Sequence, residues 1–528
     1  MSHLRQQLLE ISAEKYPDKA AVIYKNSAIT YQDLDAVSSQ LAWVLKRSGV
    51  EKGDRIGIYL NKSIEAVAAI FGILKAGAVY VPLDPSAPVR RVASIIQDCQ
   101  IEVLISTAKK ILSLEQVLPK FTLVRQAIIV GEDTFQISGT IETLISWQDV
   151  LQAPLSSLPV NEVSEIDIAY ILYTSGSTGT PKGVTISHGA ALNFVNWSSE
   201  CFQVRDSDRV SNHAPLHFDL SVFDIFTTLK AGGTVIIVPE KLTVFPLDLA
   251  RFIAQQQITI WYSVPSALIQ LVLHGNLPRC DFSNLRAILF AGEVFPVKYL
   301  RQLMECIPQA TYYNLYGPTE TNVCTYYPVE KIPDESTSTA LPIGKACAGN
   351  EVFAVNDRGE IATIGEVGEL YVRGRSLMHG YWGRLDLTKE VFLFRSCDMP
   401  SQSATADQKE NFVYRTGDLV RQEPDGDYIF LGRRDRTIKS RGYRIDLGEI
   451  ETTLYKHPQV AEVAVVAIPD EQIGHIIKAI VVPYDIVQKQ DLASFCSNYL
   501  PKYMVPAVIE FRASLPKTST GKVNLQLL

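Results

Sequence analysis

The run YTSGSTGTPKG, from Tyr173 to Gly183, directly follows the apolar stretch AYIL. Its glycines let the backbone approach an anion closely, and its hydroxyl groups and single lysine supply donors and positive charge. These donors are Thr174, Ser175, Ser177, Thr178 and Lys182. A Ser/Gly-rich linker is the alternative interpretation, but linkers seldom follow a buried strand. The run therefore predicts a phosphate-binding loop, and it is not a Walker A loop, because Pro181 and Gly183 flank the lysine.

Apolar runs and helical patterns alternate on both sides of this loop. RIGIYL indicates a strand, SIEAVAAIFGILKAG a helix that ends at glycine, and AVYVPLDP the next strand. The same alternation recurs around GGTVIIVPE and LRAILFAGE. The pattern predicts an α/β protein in which helices cover parallel sheets.

The pattern changes beyond about residue 340, where short strands alternate with turn residues and predict a small barrel-like, β-rich subdomain over 340–433. A strand, helix and strand follow Gly432 and indicate a compact tail. We therefore predict an N-terminal core over 1–433 and a C-terminal α+β domain over 434–528. The polar run 392–411 between them is predicted to be a surface loop without assigned chemistry.

The composition excludes several classes of protein. A chain of 528 residues exceeds the roughly 250 to 300 residues at which a single core stops growing, so at least two folding units are expected. A net charge of -7 argues against a nucleic-acid-binding surface. Without a signal-like region or an apolar run of about 18 residues, a cytoplasmic protein is expected, and we expect a monomer. The eight scattered cysteines indicate free thiols rather than metal ligands.

Further motifs extend along nearly the whole chain. They are ITYQDLD (29–35), LKAGAVYVPLDP (74–85), HFDLSVFDIF (217–226), NLYGPTE (314–320), GELYVRG (368–374), YRTGDL (414–419), GRRDRTIKSRGYRIDLGEIE (432–451) and PKTSTGK (516–522). Together with the phosphate loop, they resemble the ANL superfamily of adenylating enzymes, which contains acyl-CoA synthetases, luciferases and the adenylation domains of nonribosomal peptide synthetases. LKAGAVYVPLDP and NLYGPTE resemble the amino-acid-activating branch.

This resemblance implies the ANL fold, ATP and Mg²⁺ as ligands, and a C-terminal domain that is mobile. Glu320 is implied to hold Mg²⁺, a role that suits a carboxylate beside phosphate oxygens. Asp418 is implied to bind the ribose hydroxyls, Tyr316 to stack on adenine, and Asp435 to act as the hinge of the tail. The implied catalytic residues are Lys522, Thr178 and Glu320. The implied ATP- or AMP-binding residues are Thr174, Ser175, Gly176, Ser177, Thr178, Lys182, Gly292, Glu293, Val294, Asn314, Leu315, Tyr316, Gly317, Thr319, Asp418, Phe430, Arg433 and Lys522.

The implied reaction has two steps. The substrate carboxylate attacks the α-phosphorus of ATP, so positioning and charge neutralisation suffice and no protein nucleophile is needed. A thiol then attacks the mixed anhydride after the tail has rotated, and Lys439 is implied to meet the phosphopantetheine arm that carries this thiol.

The resemblance also implies a pocket for the amino acid, formed by Asp219, Leu220, Phe223, Tyr262, Leu289, Ala291, Leu315, Val323, Cys324 and Lys522. A buried carboxylate at position 219 calls for a positively charged amino group on the substrate. The remaining wall is apolar apart from the tip of Tyr262, which favours a small, hydrophobic side chain. The set resembles that of stand-alone L-prolyl adenylating enzymes of alkaloid and pyrrole-type pathways, which load proline on a peptidyl carrier protein. It departs from them at Phe223, where leucine is more common.

Two other enzymatic interpretations remain: activation of another small apolar amino acid, and a CoA ligase that shares the nucleotide motifs. A non-catalytic nucleotide-binding protein is a third, but it would be expected to have lost Lys522, Glu320 or Asp418. Because no carrier-protein serine motif follows Lys522 and no HHxxxDG motif occurs, we expect a free-standing enzyme that uses a separate carrier protein.

Overall fold

The computed structural model describes residues 6–117, 123–131, 141–155, 163–176, 180–331, 341–394, 412–517, 523 and 525–528. Within these segments the chain forms two large, mostly parallel sheets with helices, an antiparallel sheet and a separate C-terminal unit. The predicted α/β fold class is confirmed. None of the described helices has both the length and the apolar character needed to cross a membrane.

The first large sheet has eight strands among the described residues and carries the phosphate loop near one edge. Its strands run, from edge to edge, Gly380–Tyr381, Lys182–Ser187, Ile168–Thr174, Val79–Pro82, Arg55–Tyr59, Val103–Ser106, Gln126–Ile129 and Thr143–Ser146. The strands from Ile168–Thr174 onward are parallel to one another, and the first two pair antiparallel. The phosphate loop therefore joins two antiparallel neighbours.

The second large sheet has nine strands in the described part of the chain. Their spatial order is Lys345–Ala346, Thr325–Pro328, Thr311–Tyr316, Ala287–Ala291, Ile260–Ser263, Arg209–Asn212, Thr234–Ile237, Ala20–Tyr24 and Ser27–Thr30. The six from Thr311–Tyr316 to Ala20–Tyr24 are parallel, so the carboxyl ends of the central strands meet along one edge. That edge is where open α/β sheets bind ligands.

One almost wholly buried helix, Ile64–Lys75, packs against strands of both large sheets. Its sequence is apolar on every side, which is typical of a buried helix. Ser63 caps it, since the Ser63 side chain accepts a hydrogen bond from the amide of Ala66. The other described helices of this region are Gln6–Lys15, Tyr31–Arg47, Val89–Asp98, Ala108–Val117, Trp147–Leu151, His188–Cys201, Leu220–Val222, Thr228–Lys230, Pro246–Gln255, Pro265–His274, Val297–Cys306 and Leu385–Val391, the π-helical turn Phe223–Thr227, and the 3₁₀ turns Glu240–Val244 and Leu277–Arg279.

An antiparallel sheet lies where the β-rich subdomain is predicted. It contains Asn350–Val355, Val367–Gly374, Phe412–Gln422, Phe392–Phe394 and Tyr428–Arg433. The predicted loop 392–411 is therefore wrong at its start, because Phe392 is buried and pairs with Tyr414. The rest of that loop, 395–411, lies outside the described residues.

The tail begins with the hairpin Thr437–Ser440 and Tyr443–Asp446, which we call the tail hairpin. Behind it lies an apolar cluster whose members all fall between Ile438 and Phe511. The remaining tail elements are the strands Val460–Asp470, Gly474–Pro483 and Val508–Phe511, the helices Leu447–Tyr455 and Lys489–Ser497, and the 3₁₀ turns Lys502–Met504 and Leu525–Leu527.

Candidate active site

A cavity lies where three parts of the chain meet: the carboxyl ends of the nine-stranded sheet, the phosphate loop and the tail hairpin. Gly292 and Gly317, each of which follows a strand of that sheet, line it. Position 317 accepts only glycine, because an added Cβ would lie 1.8 Å from the carbonyl oxygen of Asn322. The cavity thus occupies the place in the fold where ligands are expected.

Glu320 forms the centre of the polar cluster beside this cavity. Its side chain is fully buried, and Arg444 of the tail hairpin donates to Oε1 at 3.0 Å and to Oε2 at 2.9 Å. The hydroxyl of Tyr381 donates to Oε1 at 2.6 Å, and Lys182 Nζ lies 3.3 Å from the same atom. Burial alone would raise the pKa of Glu320, but Arg444 and Lys182 lower it well below its usual value. Glu320 is therefore an ionised carboxylate in a buried site.

Lys182 is the cation that the phosphate loop contributes. Its ammonium group donates to the hydroxyl of Tyr381 at 2.7 Å. The pKa of Lys182 is lowered to about 8, mainly by burial and also by the charge of Arg444, while Glu320 acts in the opposite direction and raises it. The lysine is still mainly protonated near neutral pH, so it can neutralise an anionic ligand there.

Asp418 forms the centre of a second polar cluster. Tyr316 donates its hydroxyl proton to Oδ2, and the guanidinium of Arg433 binds Oδ1. Arg433 also binds Asp435 at 2.7 Å, which connects the predicted ribose site to the predicted hinge. The rings of Tyr316 and Phe430 lie 6.3 Å apart, and Asp418 is almost fully buried. A nucleotide could bind to Asp418 only if the contacts of Asp418 with Tyr316 and Arg433 were replaced by contacts with the nucleotide.

The tail hairpin occupies the mouth of the phosphate loop. Ser175 donates from Oγ to the carbonyl of Arg444 at 2.6 Å. Lys439 Nζ lies 5.7 Å from the ring centre of Tyr316. Burial lowers the pKa of Lys439, whereas Asp418 raises it. In this structure the hairpin, with Lys439 and Arg444, is the face of the tail that meets the cavity.

The predicted amino-acid pocket is formed in part by the cavity wall and in part by residues behind it. Asp219, Leu220, Tyr262, Ala291 and Val323 line the cavity. Burial raises the pKa of Asp219, and a hydrogen bond with Thr319 and the charge of Lys439 lower it. Leu220, Ala291 and Val323 supply apolar surface to the same cavity, which Thr319 and Asn322 also line.

Four predicted pocket residues lie behind this wall rather than on it: Phe223, Leu289, Leu315 and Cys324 are buried in the core. The ring of Phe223 packs edge-on against Tyr262, with the centroids 5.5 Å apart. Leu289 is the strand neighbour of Tyr262, and Leu315 that of Ala291. These side chains therefore set the position of the wall.

A second arm of the cavity runs between the helix Val89–Asp98 and the tail. Val92 and Ile95 line one side, and Tyr443 and Tyr503, whose rings stack at 3.5 Å, line the other. His217 and Phe218 line the junction of the arm with the amino-acid pocket, and the ring of Phe218 packs edge-on against Tyr443 at 4.8 Å. Apart from Asp84 and Arg91, which also line the cavity, these side chains are mostly apolar and aromatic, which suits a long, flexible chain rather than a compact polar ligand.

The predicted nucleotide residues fall into four groups. Thr174, Ser175, Gly292, Gly317, Thr319, Asp418 and Arg433 line the cavity. Lys182, Glu293, Asn314, Leu315, Tyr316 and Phe430 support it, and Asn314 donates to the carbonyl of Pro342 at 2.7 Å. Gly176 lies at the described end of the loop, and Val294 is half exposed and does not line the cavity. Ser177, Thr178 and Lys522 lie outside the described residues.

Sequence reasoning did not single out Arg444, Tyr381 or Arg91. Arg444 lies in the run TIKSRGYRID, but no pattern in the sequence links it to Glu320. Tyr381 lies on a two-residue strand without any periodic signal. Arg91, on the helix beside the second arm, forms a buried ion pair with Glu449 of the tail.

Two family models match the chain. The model described as AMP-binding enzyme matches residues 9–382, and the model described as AMP-binding enzyme C-terminal domain matches residues 449–522.

Two relatives of the chain are both described as L-proline--[L-prolyl-carrier protein] ligase. The L-proline--[L-prolyl-carrier protein] ligase of Pseudomonas fluorescens is 38% identical to the chain over 99% of its length and 98% of the relative. The protein of that description from Streptomyces coelicolor is also 38% identical, over 95% of the chain and 91% of the relative. Among solved structures, the Vibrio cholerae adenylation domain AlmE in complex with glycyl-adenosine-5'-phosphate has a TM-score of 0.83 and 26% identity, covering 99% of this chain and 97% of that one.

Proposed function

The chain belongs to the family of AMP-binding enzymes, and on this premise we propose that it activates L-proline with ATP as prolyl-AMP and transfers the prolyl group to the phosphopantetheine thiol of a separate carrier protein. It is thus an AMP-forming acid–thiol ligase. The observation that carries the proposal is that one cavity joins the Asp219 pocket, the phosphate loop and Asp418 to an apolar second arm. These are binding places for an amino acid, a nucleotide and a long thiol arm.

Proline fits the pocket by charge and by shape. The secondary ammonium of proline would pair with the Asp219 carboxylate, whose burial is unfavourable without a cation. The three methylene groups of its ring carry no polar atom, so the apolar wall around Leu220, Ala291 and Val323 would bury them without leaving a donor or acceptor unpaired. A longer or charged side chain would meet Tyr262, which Phe223 supports from behind.

ATP is proposed to place its phosphates against the loop Thr174 to Lys182 and its ribose against Asp418. Thr174 supports this proposal, because its buried Oγ1 has no hydrogen-bond partner among the described residues. A phosphate oxygen would supply one. The Asp418 carboxylate can accept both ribose hydroxyls once its bonds to Tyr316 and Arg433 have rearranged.

The residues beside the phosphate loop also fit Mg²⁺. Mg²⁺ is held by few protein carboxylates together with phosphate oxygens and water, and Glu320 offers one buried, ionised carboxylate at this place. When bound, the metal would neutralise phosphate charge as pyrophosphate leaves. The described residues contain no cluster of three or more metal-ligating side chains, which agrees with a metal held mainly by the nucleotide.

In the first half-reaction the chain would position and neutralise rather than supply a nucleophile. Asp219 would orient the substrate so that its carboxylate faces the α-phosphorus, and Lys182 would offset the charge of the phosphates. From their sequence motifs, Thr178 and Ser177 are proposed to bind the phosphates, and Lys522 is proposed to contact the substrate carboxylate. The tail domain 434–528 would present Lys522 in this state, turning about Asp435 against the core 1–433.

In the second half-reaction the tail hairpin would take the place next to the loop. The contacts of Arg444 with Glu320 and Ser175 support this assignment for the arrangement in this structure. The carrier arm would enter between Val92 and Tyr443. Its thiol would then attack the carbonyl of prolyl-AMP, with AMP as the leaving group, and Lys439 would lie beside the reacting groups.

The test is ATP–pyrophosphate exchange with purified protein and Mg²⁺ across the twenty amino acids, pipecolate, benzoate and a medium-chain fatty acid. Exchange with L-proline alone is expected, followed by transfer to a phosphopantetheinylated carrier protein in preference to CoA. Exchange only with acids that lack an amino group would overturn the role of Asp219. Preferred transfer to CoA would overturn the carrier-protein assignment.

A further inference from the structure

One histidine lines the junction between the second arm and the amino-acid pocket. We propose that this residue, His217, is the general base of the second half-reaction: it takes the proton from the carrier thiol as the thiol attacks prolyl-AMP, and Asp84 positions its imidazole. This inference rests on the proposed function, since it assigns a residue to the transfer step of that function.

The position of His217 follows from one short turn. This turn leads from the strand Arg209–Asn212 into the helix Leu220–Val222. Asp219, the proposed partner of the substrate amino group, lies two residues after His217 in the same turn. Both side chains line the cavity, and so does Tyr443 of the arm proposed for the thiol. The turn therefore brings an imidazole to the place where the thiol and the prolyl carbonyl would meet.

His217 and Asp84 form an incompletely bonded pair. Nε2 of His217 lies 3.9 Å from Oδ2 of Asp84, and both atoms are buried without a hydrogen-bond partner among the described residues. The other oxygen of Asp84 accepts from the amide and the hydroxyl of Ser86, at 2.8 and 2.7 Å, which fixes the carboxylate. Contacts between catalytic groups are often long in the absence of substrate and shorten when it binds. Asp84 can thus hold the proton on Nε2 and leave Nδ1 as the base.

His217 is in the protonation state that a base requires. Burial lowers the pKa of its imidazole, while Asp84 and Glu240 raise it, and the net change is downward. The imidazole is therefore mainly neutral near pH 7. The side chains of His217 and Asp84 are each 12% exposed and line the cavity, so they are largely screened from water and still accessible to a ligand.

The cavity offers few other side chains that could take a proton near neutral pH. Asp219 and Asp418 are proposed to bind the substrate amino group and the ribose. Burial raises the pKa of Tyr443 to about 12 and also raises that of Tyr503, so both phenols keep their protons. Among the described residues that line the cavity, His217 is the one histidine.

The chemical step balances with one proton transfer. A free alkyl thiol has a pKa of about 8.5, so only a few per cent is thiolate at pH 7. As His217 takes the S–H proton, sulfur forms a bond to the prolyl carbonyl carbon, and the bond from that carbon to the phosphate oxygen breaks. AMP leaves with the electron pair, Lys439 can neutralise it as a cation, and the imidazolium then gives its proton to water. A general base of this kind accelerates a step by about 10²–10⁴-fold.

The test compares the two half-reactions in the same preparation. Pyrophosphate exchange with proline reports the first, and single-turnover transfer from enzyme-bound prolyl-AMP to a phosphopantetheinylated carrier protein reports the second. His217→Gln keeps a polar side chain but removes the base, so transfer at pH 7 should fall about 100-fold and exchange far less. Asp84→Asn keeps the oxygen that binds Ser86, but its amide would donate to Nε2 and move the imidazole proton to Nδ1. Transfer should fall at least about tenfold in this variant.

The pH profile of transfer separates a base from a merely structural group. Without a base, transfer depends on thiol that has ionised by itself. The rate of His217→Gln should therefore rise about tenfold per pH unit between about pH 6.5 and 8.5, whereas the wild type rises much less. Asp84→Asn should show the same dependence as His217→Gln. His213→Gln is the matched control, because His213 also has a buried Nε2 without a partner among the described residues but does not line the cavity. It should keep the wild-type ratio of transfer to exchange and the wild-type profile.

A deficit of His217→Gln that stays the same at every pH would assign the residue a structural role and overturn the proposal. Transfer at the wild-type rate would overturn it too, and so would a loss of exchange as large as the loss of transfer. These three outcomes leave the proposed function standing. A wild-type protein that forms prolyl-AMP but transfers it to no carrier protein would overturn the proposed function, and the role of His217 with it. If His217→Gln fails to fold, Asp84→Asn decides the question by the same two measurements.

Discussion

The backbone amide of Gly442 donates a hydrogen bond to Oε1 of Glu293 at 2.7 Å. The other oxygen of the same carboxylate accepts from the amide of Ser266 at 3.0 Å. Burial raises the pKa of Glu293, and these two amide bonds lower it. One carboxylate at a strand end therefore ties the turn of the tail hairpin to the large part of the chain, and the docked position of the hairpin depends on a few identifiable contacts.

Gly442→Ala should block hairpin docking. Gly442 has φ +78°, and an added Cβ would lie 2.3 Å from Cγ1 of Val264. With a clash of about 3 kcal/mol in the docked state, prolyl transfer to the carrier protein should fall by about 100-fold, while pyrophosphate exchange stays close to wild type. Gly359→Ala is the control, since Gly359 has φ +80° but open space around it. Val264→Ala should partly restore transfer, and an equal loss of exchange and transfer would contradict this account.

Arg91→Met should also weaken docking of the tail on the large part of the chain, at a contact separate from that of Gly442. Arg91 pairs with Glu449 of the tail, and the two side chains are only 10% and 2% exposed. Loss of one partner leaves a buried charge unpaired, at a cost of about 3–5 kcal/mol, so transfer to the carrier should fall much more than exchange. In a double-mutant cycle, Glu449→Gln should add little to Arg91→Met. Arg125→Met, which removes an exposed pair with Glu102, should change neither rate, and additive effects at 91 and 449 would refute the coupling.

The affinity for ATP should fall as pH rises through about 8. The free protein holds Lys182 with a pKa of about 8, lowered from 10.5 mainly by burial and further by Arg444 and Arg433, whereas Glu320 raises it. Bound phosphates favour the protonated lysine, so between the free and bound pKa values binding requires proton uptake and weakens by up to about tenfold per pH unit. Calorimetry with α,β-methylene-ATP between pH 6.5 and 9.5 checks this. Lys182→Arg should flatten the profile, and an unchanged slope in that variant would assign the titration to another group.

Asp219→Asn should abolish selection for the amino group. Replacing the carboxylate with a neutral amide leaves the substrate ammonium unpaired in a water-poor pocket, a loss of about 3 kcal/mol or more. Proline-dependent exchange should therefore fall more than 100-fold in kcat/KM. Binding of the ATP analogue, measured by calorimetry, should stay within about twofold and serves as the control. Exchange at the wild-type rate would remove Asp219 from the substrate site.

The fold was predictable from the sequence where local patterns decide it. Alternating apolar strands and helices indicated the parallel sheets, and the apolar helix Ile64–Lys75 and the strands Arg55–Tyr59 and Ala287–Ala291 lie where the sequence predicts them. The prediction of a loop over 392–411 is wrong at its start, because Phe392 pairs with a strand that begins twenty residues later, at Phe412. A single-sequence pattern carries no signal for such pairing.

The candidate site was predictable to the extent that its residues belong to recognisable runs. Asp219, Tyr262 and Asp418 meet Thr174 and Ser175 of the phosphate loop around one cavity. The ion pair of Arg444 with Glu320 was not predictable, because it joins residues 124 positions apart that no periodicity connects. Tyr381 reaches Glu320 only because its two-residue strand pairs with the strand after the phosphate loop. The roles inferred for Lys522, Ser177 and Thr178 remain predictions from the sequence.

The two arms of the cavity are built from different elements. Tyr262, Ala291 and the helix that starts at Leu220 form the wall facing the amino acid, whereas the helix Val89–Asp98 and the stacked pair Tyr443 and Tyr503 form the passage. An engineer could therefore exchange the wall residues to deliver a different building block and leave the entry route untouched. The enzyme would still load the same carrier protein, so it is a candidate for engineered biosynthesis with other amino acids.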